Sequence, residues 1–263
     1  MSDIFRGVWV VAYRELLRFI QERSRLFSSF AMPLIFLVIF GAGFGETIGA
    51  MVPGVNYLQF MYPGIIAMTV VMGAIMSGIS VVWDREFGFL KEILVSPLGR
   101  SGIMLGKSVG AATISVIQVT VMLILAPILN ISLSILMILQ LLLVVFIISV
   151  SISGLGLLVA ARMKSQQGFQ LVTQIIIMPL IFLAGVFFPV NNVPLWMEFI
   201  SKINPLTYGV DAIRQIFLGS EAAAALSVSI FGHTMSVLED VLVVVVFGGI
   251  LMLIAIWSFS RQE

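Results

Sequence analysis

The chain has 263 residues, 60% hydrophobic and 10% charged, with a mean hydropathy of +1.15. A soluble domain carries about 25% charged residues, so the composition excludes a water-soluble fold and reads as an integral membrane protein. The formal charge is +1 and there is no cysteine, which excludes disulfides, thiolate metal sites and thiol chemistry.

Residues 4–25 have a helical pattern without being a span. Ile4, Phe5, Val8, Trp9, Ala12, Leu16, Phe19 and Ile20 make an apolar stripe. Arg6, Arg14, Glu15, Arg18, Glu22 and Arg25 interrupt it too often for insertion. A basic amphipathic helix lying in the interface fits, with Trp9 and Tyr13 at headgroup depth. A signal peptide is not expected, since no long apolar core and no small-residue cleavage site follow the first basic residue.

Charge-free runs then set the spans. Leu26 to Gly45 gives the first, 26–45, long enough for about 30 Å of helix. Thr47 to Trp83 is too long for one span, so its start reads as a loop and 58–83 as the second. Ser108 to Ala161 holds two, 104–127 and 134–161, with a turn at Pro127 to Ser134. Ser165 to Met197 gives 169–188, and 241–260 is the last. Six spans put both ends on one side. That side holds twelve of the fourteen Lys and Arg residues, and only Lys202 and Arg214 lie opposite. The positive-inside rule therefore predicts that both termini are cytoplasmic.

Two connecting segments carry pattern. In 84–100, DREFGFLKEILVSPLGR, Phe87, Leu90 and Leu94 share one side of a 3.6-residue period. Asp84 suits an N-cap, and Pro97 and Gly99 stop the helix. This amphipathic helix would lie on the lipid or plug into the groove of a soluble partner. In 189–219, the spacing predicts a short helix over 195–202. A second follows, capped by Asn204 with Pro205 at its first position and Gly219 past its end. Asp211 and Arg214 form an i, i+3 pair. Two such helices beside an apolar span suggest a re-entrant hairpin dipping into the outer leaflet, the alternative being an ordinary surface loop. Residues 222–232 read as a loosely ordered linker.

Chemistry has little to work with. Arg100 to Ser108, RSGIMLGKS, nearly matches a phosphate-binding loop, but Ser101 stands where the first glycine belongs and no strand precedes it, so ATP binding is rejected there. Gly102, Gly106 and Gly110 instead line one helix face for close packing, with Gly41 and Gly45 a second such pair. The charge-free runs hold no buried acid or base of the kind coupled transporters use. His233, the single histidine, has no second imidazole with which to share a metal and reads as a solvated loop residue. No catalytic residue, cofactor or metal is expected in the chain. A pump built this way needs an energy source on a separate subunit, and the 84–100 helix is the best candidate for that contact.

The whole chain resembles the membrane subunit of type-2 ABC exporters, the ABC-2 permease family, in its drug-export branch. YRELLRFIQERSRLF is similar to the family's interfacial connecting helix, REFGFLKEILVSPLGR to its cytoplasmic coupling helix, and GVFFPVNNVPLWMEFISKINPLTYGVDAIRQIFLG to its external hairpin. The resemblance implies an all-α, single-domain permease in the cell membrane. It implies a homodimer, or a pair with a similar permease, on two ATP-binding subunits that carry ATP and Mg. Arg85, Glu86, Phe87, Leu90, Glu92, Ile93 and Leu94 would then contact the ATPase. Lys91 departs from the family's pattern, which puts the acid one place earlier than Glu92. Asn204, Pro205, Tyr208, Asp211 and Arg214 would form an external gate. The cargo expected for charge-poor spans is an amphipathic, lipid-like or drug-like molecule. The alternatives are a polysaccharide or glycoconjugate permease, and a passive or scaffolding membrane protein without an ATPase.

Overall fold

The computed structural model describes residues 2–49, 57–88, 99–129, 133–190, 193–219, 223, 227–230 and 233–260. They form α1 (Ser2–Gln21), α2 (Arg23–Gly49), α3 (Tyr57–Met76), α4 (Ile79–Glu86) and α5 (Arg100–Leu125). A 3₁₀ turn over Ala126–Leu129 follows, then α6 (Ile135–Arg162), α7 (Gln166–Phe182), α8 (Leu195–Ile203) and α9 (Pro205–Leu218). A two-residue ladder pairs β1 (Ser229–Ile230) with β2 (His233–Thr234) ahead of α10 (Val237–Ser260).

Helix starts follow local chemistry. Ser134 accepts from Met137 N to open α6, and Ser165 accepts from Gly168 N to open α7. Asn204 Oδ1 accepts from Leu206 N, with Pro205 next, as the sequence predicts. Gly219 closes α9 at φ 79°, a conformation that a side chain would strain. The last helix starts earlier than expected. Ser236 and Glu239 form a capping box, Glu239 Oε2 accepting from Ser236 N at 2.7 Å and Ser236 Oγ accepting from Glu239 N. That reciprocal cap draws Glu239 and Asp240 into α10, although their charges suggested a start at Val241.

Among the described residues, four helical stretches are long and apolar enough to cross a membrane: Tyr57–Glu86, Ser101–Leu125, Ile135–Arg162 and Val237–Phe259. A fifth exists if α1 and α2, whose axes turn by 74° across the break between them, count as one bent span. α7 is apolar but has 17 residues, about 25 Å of rise, a turn short of the roughly 30 Å hydrocarbon core.

α3 is the hub. It is apolar on every side and buried along most of its length, the pattern of a helix enclosed by others. α2, α5, α6 and α9 pack around it, while α6 and α10 pair along their lengths and leave their outer faces bare. In lipid, helices gain little from apolar burial, so close backbone approach decides which faces meet. α6 meets the α3–α4 junction in this way. A Cβ on Gly156 would lie 2.3 Å from Ile75 O, and one on Gly78 would lie 2.4 Å from Gly156 O.

Those neighbours are backbone atoms and have no rotamer to give. Gly156→Leu is therefore expected to abolish a monodisperse folded protein in fluorescence-detected size exclusion. Gly249→Ala, with open space at its Cβ, is expected to elute as the native protein does.

Candidate functional site

Two clusters of polar side chains, at opposite ends of the helices, hold the residues singled out by the sequence. The first lies where α1 crosses α5. Gly102, Gly106 and Gly110 form the floor of this crossing: a Cβ on Gly106 would lie 2.7 Å from Val11 Cβ, and one on Gly110 would lie 2.9 Å from Glu15 Cβ. Gly41 and Gly45 are carried on α2, and the surroundings of their α-carbons lie outside what the structure describes.

The close approach brings four charges together. Lys107 Nζ reaches Asp84 Oδ2 at 3.1 Å, Glu15 Oε1 at 3.3 Å and Ser80 Oγ at 2.7 Å. Arg14 closes the cluster on Asp84 Oδ1 at 2.8 Å. Lys107 is 3% exposed and Asp84 1%. Two cations and two anions balance, which is the condition for burying them. Beside them Arg18 lies 5.3 Å above the Trp83 ring.

This corrects two expectations. Asp84 is no N-cap: it sits inside α4, which runs on from α3 and ends at Glu86. Glu15, read as one of the charges interrupting the apolar stripe of α1, is itself buried. With Val11 and Phe19 it lies on the buried face, while Phe5, Trp9 and Tyr13 point away from the protein. Two of the expected spans were also too short, since Asp84 and Asp240 lie inside span helices, as Lys107 does within the expected 104–127.

The 84–100 segment leaves the bundle from this cluster. Arg85 Nη1 donates to the carbonyls of Met163, Ala160 and Ala161 at the C-terminal end of α6 and its cap. Glu86 Oε2 accepts from Gln166 N at the start of α7. Both residues thus anchor the loop base to the α6–α7 turn. Phe87 faces out, 70% exposed. Leu90, Lys91, Glu92, Ile93 and Leu94 lie outside the described residues.

A cavity of about 530 Å³ opens beside the cluster, between α1, α2, α3, α5 and α7. Met32, Met72, Met76 and Ile114 give it an apolar wall. Glu15, Glu22, Ser28, Gln118 and Gln170 give it a polar one. Ligand pockets for drug-sized molecules run from about 300 to 1,000 Å³ with this mixture of surfaces.

The second cluster holds the α8–α9 hairpin. Asn204 Nδ2 donates to Leu180 O on α7 at 2.8 Å. Tyr208 Oη donates to Lys202 O at 2.6 Å, tying α9 to α8. Arg214, 2% exposed, donates to Gly185 O at 2.6 Å and lies 4.2 Å over the Phe60 ring. Asp211 Oδ2 accepts from Val228 N at 2.8 Å and from Gln215 Nε2 at 3.3 Å. The expected i, i+3 partners therefore spend their hydrogen bonds on the chain around them, and their attraction acts through space. Burial pushes the Asp211 carboxyl up, and the Val228 N–H, the Arg214 charge and Gln215 pull it back. Burial brings the Arg214 guanidinium down to about 10 against the opposing pull of Asp211. His233 is exposed, as expected, and meets Glu239 at 3.2 Å.

Sequence reasoning missed Glu15, Lys107 and Asp240. The S-V-L-E run at 236–239 was a legible cap and would have placed Asp240 inside the last helix. Nothing local marked Lys107, whose partners come from positions 15, 80 and 84.

Residues 6–218 match the ABC-2 type transporter family, and the chain belongs to it. It is 32% identical over 221 residues to the "Putative transport permease ycf38" of Cyanophora paradoxa, covering 81% of this chain and 75% of that protein. It is 33% identical over 167 residues to the "Probable multidrug ABC transporter permease YbhR" of Escherichia coli strain K12, covering 63% and 45%. With "Nodulation protein J" of Rhizobium meliloti strain 1021 it shares 29% identity over 199 residues, 75% of each chain. The protein is a multi-pass membrane protein, an ABC-2 type transport permease.

Removing Lys107 would strand two buried carboxylates with Arg14 alone. Lys107→Ala is expected to cost about 3–5 kcal/mol of stability, read as a large fall in melting temperature of the purified protein. Lys202→Ala, at a half-exposed i, i+4 pair with Glu198, is expected to cost less than about 1 kcal/mol.

Proposed function

We propose that this chain is the permease subunit of an ATP-driven exporter that takes up an amphipathic, drug-like or lipid-like molecule from the cytoplasm or inner leaflet. The observation that carries the reading is the cavity under α1. It is drug-sized, has both an apolar and a polar wall, and opens at the level of the charge cluster. Two permeases, identical or similar, work on two copies of a nucleotide-binding subunit that holds ATP and Mg; no nucleic acid is involved.

Six spans are counted in this reading: α2, α3 with α4, α5, α6, α7 and α10. Both ends are cytoplasmic by the charge asymmetry. α1 lies in the interface, a role that its outward Phe5, Trp9 and Tyr13 suit. α8 exposes Leu195, Trp196, Phe199 and Ile203, a surface suited to a re-entrant hairpin in the outer leaflet, with Asn204, Pro205, Tyr208, Asp211 and Arg214 as its gate.

The motor pushes on the 84–100 loop. Phe87, Leu90, Ile93 and Leu94 make the contact. Arg85 and Glu86 pass the force to α6 and α7, and Asp84 passes it to α1 and α5 through Arg14 and Lys107. Glu92 takes part in the same contact. A glycan cargo is less well served. Phe36, Phe40, Phe182 and Phe187 stack on one another, with centroids 5.0–5.7 Å apart, rather than offering free faces to sugars.

The test is the permease reconstituted in vesicles with its nucleotide-binding subunit. Leu90→Asp with Leu94→Asp is expected to leave insertion intact, and to abolish copurification of that subunit and its stimulated ATP hydrolysis. Unchanged hydrolysis would return the chain to a passive or scaffolding role. Ala111→Trp, which fills the cavity, is expected to lower stimulation by a hydrophobic drug at least tenfold with basal hydrolysis kept. Full stimulation would place the cargo elsewhere.

A further inference from the structure

Two buried carboxylates share one amide at the seam between α9 and α10. Gln215 Nε2 lies 3.3 Å from Asp211 Oδ2, 3.0 Å from Asp240 Oδ2 and 3.0 Å from Met235 O. An amide nitrogen carries two hydrogens, so three acceptors compete for two donors. Among the described residues, Oδ1 of each aspartate is buried with no hydrogen-bond partner. Asp211 is the better supplied, since its Oδ2 also takes the Val228 N–H, the Ser227 side chain hydrogen-bonds to its carboxylate and Arg214 stands one turn along. Asp240 Oδ2 takes only its share of Gln215, and Asp240 is 0% exposed.

The surrounding charges do not balance the pair. α9 contributes Asp211, Arg214 and the Tyr208 hydroxyl, which donates to Lys202 O. α10 contributes Glu239, turned to Ser236 and His233. α3 offers only Tyr57 and Tyr62, bonded to Phe187 O and Met122 O. The basic residue of α6, Arg162, is at its far end against Ser258. Among the described residues, two buried carboxylates thus face one guanidinium. A buried carboxylate without a counter-charge is strongly disfavoured, and the group neutralises instead.

We propose that Asp240 is a proton-binding site: it holds one proton while α9 is seated on α10, and releases it to water when the hairpin lifts from the seam. The O–H supplies the missing donor, and its proton removes the excess charge. A metal ion is not required, because Gln215 Nε2 occupies the space between the two Oδ2 atoms. The hairpin's seat is thereby linked to the pH on its own side of the membrane. The proposal does not rest on what the permease carries, and its readouts use this chain alone.

The sign follows from proton counting. The seated state binds a proton that the unfolded chain, with an ordinary aspartate near pKa 3.9, about the value in model peptides, gives up. Raising the pH therefore favours the unseated and unfolded states until the bound proton is lost. The experiment is pH-dependent melting and infrared spectroscopy of the permease in lipid nanodiscs. The native protein is expected to melt lower as the pH rises and to show the carbonyl band of a protonated carboxyl at neutral pH. Asp240→Asn, a neutral isostere, is expected to melt at least as high as native at neutral pH, to lose that band and to flatten the pH slope. Asp211→Asn, which removes the neighbouring charge, is expected to move the loss of the band to lower pH. The proposal is overturned by the band's absence from the native protein or survival in Asp240→Asn, by equal slopes, by an unmoved titration in Asp211→Asn, or by failure of Asp240→Asn to fold.

Discussion

One ammonium group holds the described end of the bundle together. Lys107 Nζ touches Asp84, Glu15 and Ser80, side chains from two other helices, and Arg14 supplies the fourth charge. Each of these groups alone would be costly at such depth, and only their mutual neutralisation makes the burial tolerable. The glycine stripe on α5 is what lets α1 come close enough for Lys107 to be reached. Sterics and electrostatics therefore specify the same crossing. With α1 fixed, the elbow into α2 is fixed, and so are the mouth of the cavity and the root of the 84–100 loop.

The loop base shows the same economy. Asp84, Arg85 and Glu86 are consecutive, yet each serves a different neighbour: α1 and α5, the end of α6, and the start of α7. Helix ends in a membrane need partners for their unpaired backbone groups. Arg85 and Glu86 meet that need at the α6–α7 turn and make the loop mechanically continuous with two helices. Asp84 and Arg85 thus turn into the bundle, and the apolar Phe87 faces out.

The far end is built on the opposite balance. Around α9, one guanidinium stands among more acid than it neutralises, and the donors run short at Gln215. Tight seating there depends on groups whose charge responds to water. Such a seam suits an element that moves, whereas the neutral cluster around Lys107 suits a joint that does not.

The sequence by itself determined the membrane character, the helical class and the family resemblance. Each follows from composition, from the length of charge-free runs, or from short local patterns. It also located the hairpin's caps, Asn204, Pro205 and Gly219, because a cap is a contact between neighbours in the chain. The partners of Glu15, Asp84, Lys107 and Asp240 were decided only by the tertiary structure. A charged residue in a sequence looks solvated until a second helix, up to 92 positions away in the case of Glu15 and Lys107, brings the opposite charge within reach. Burial of a charge is a property of a pair, and a linear reading sees its members one at a time.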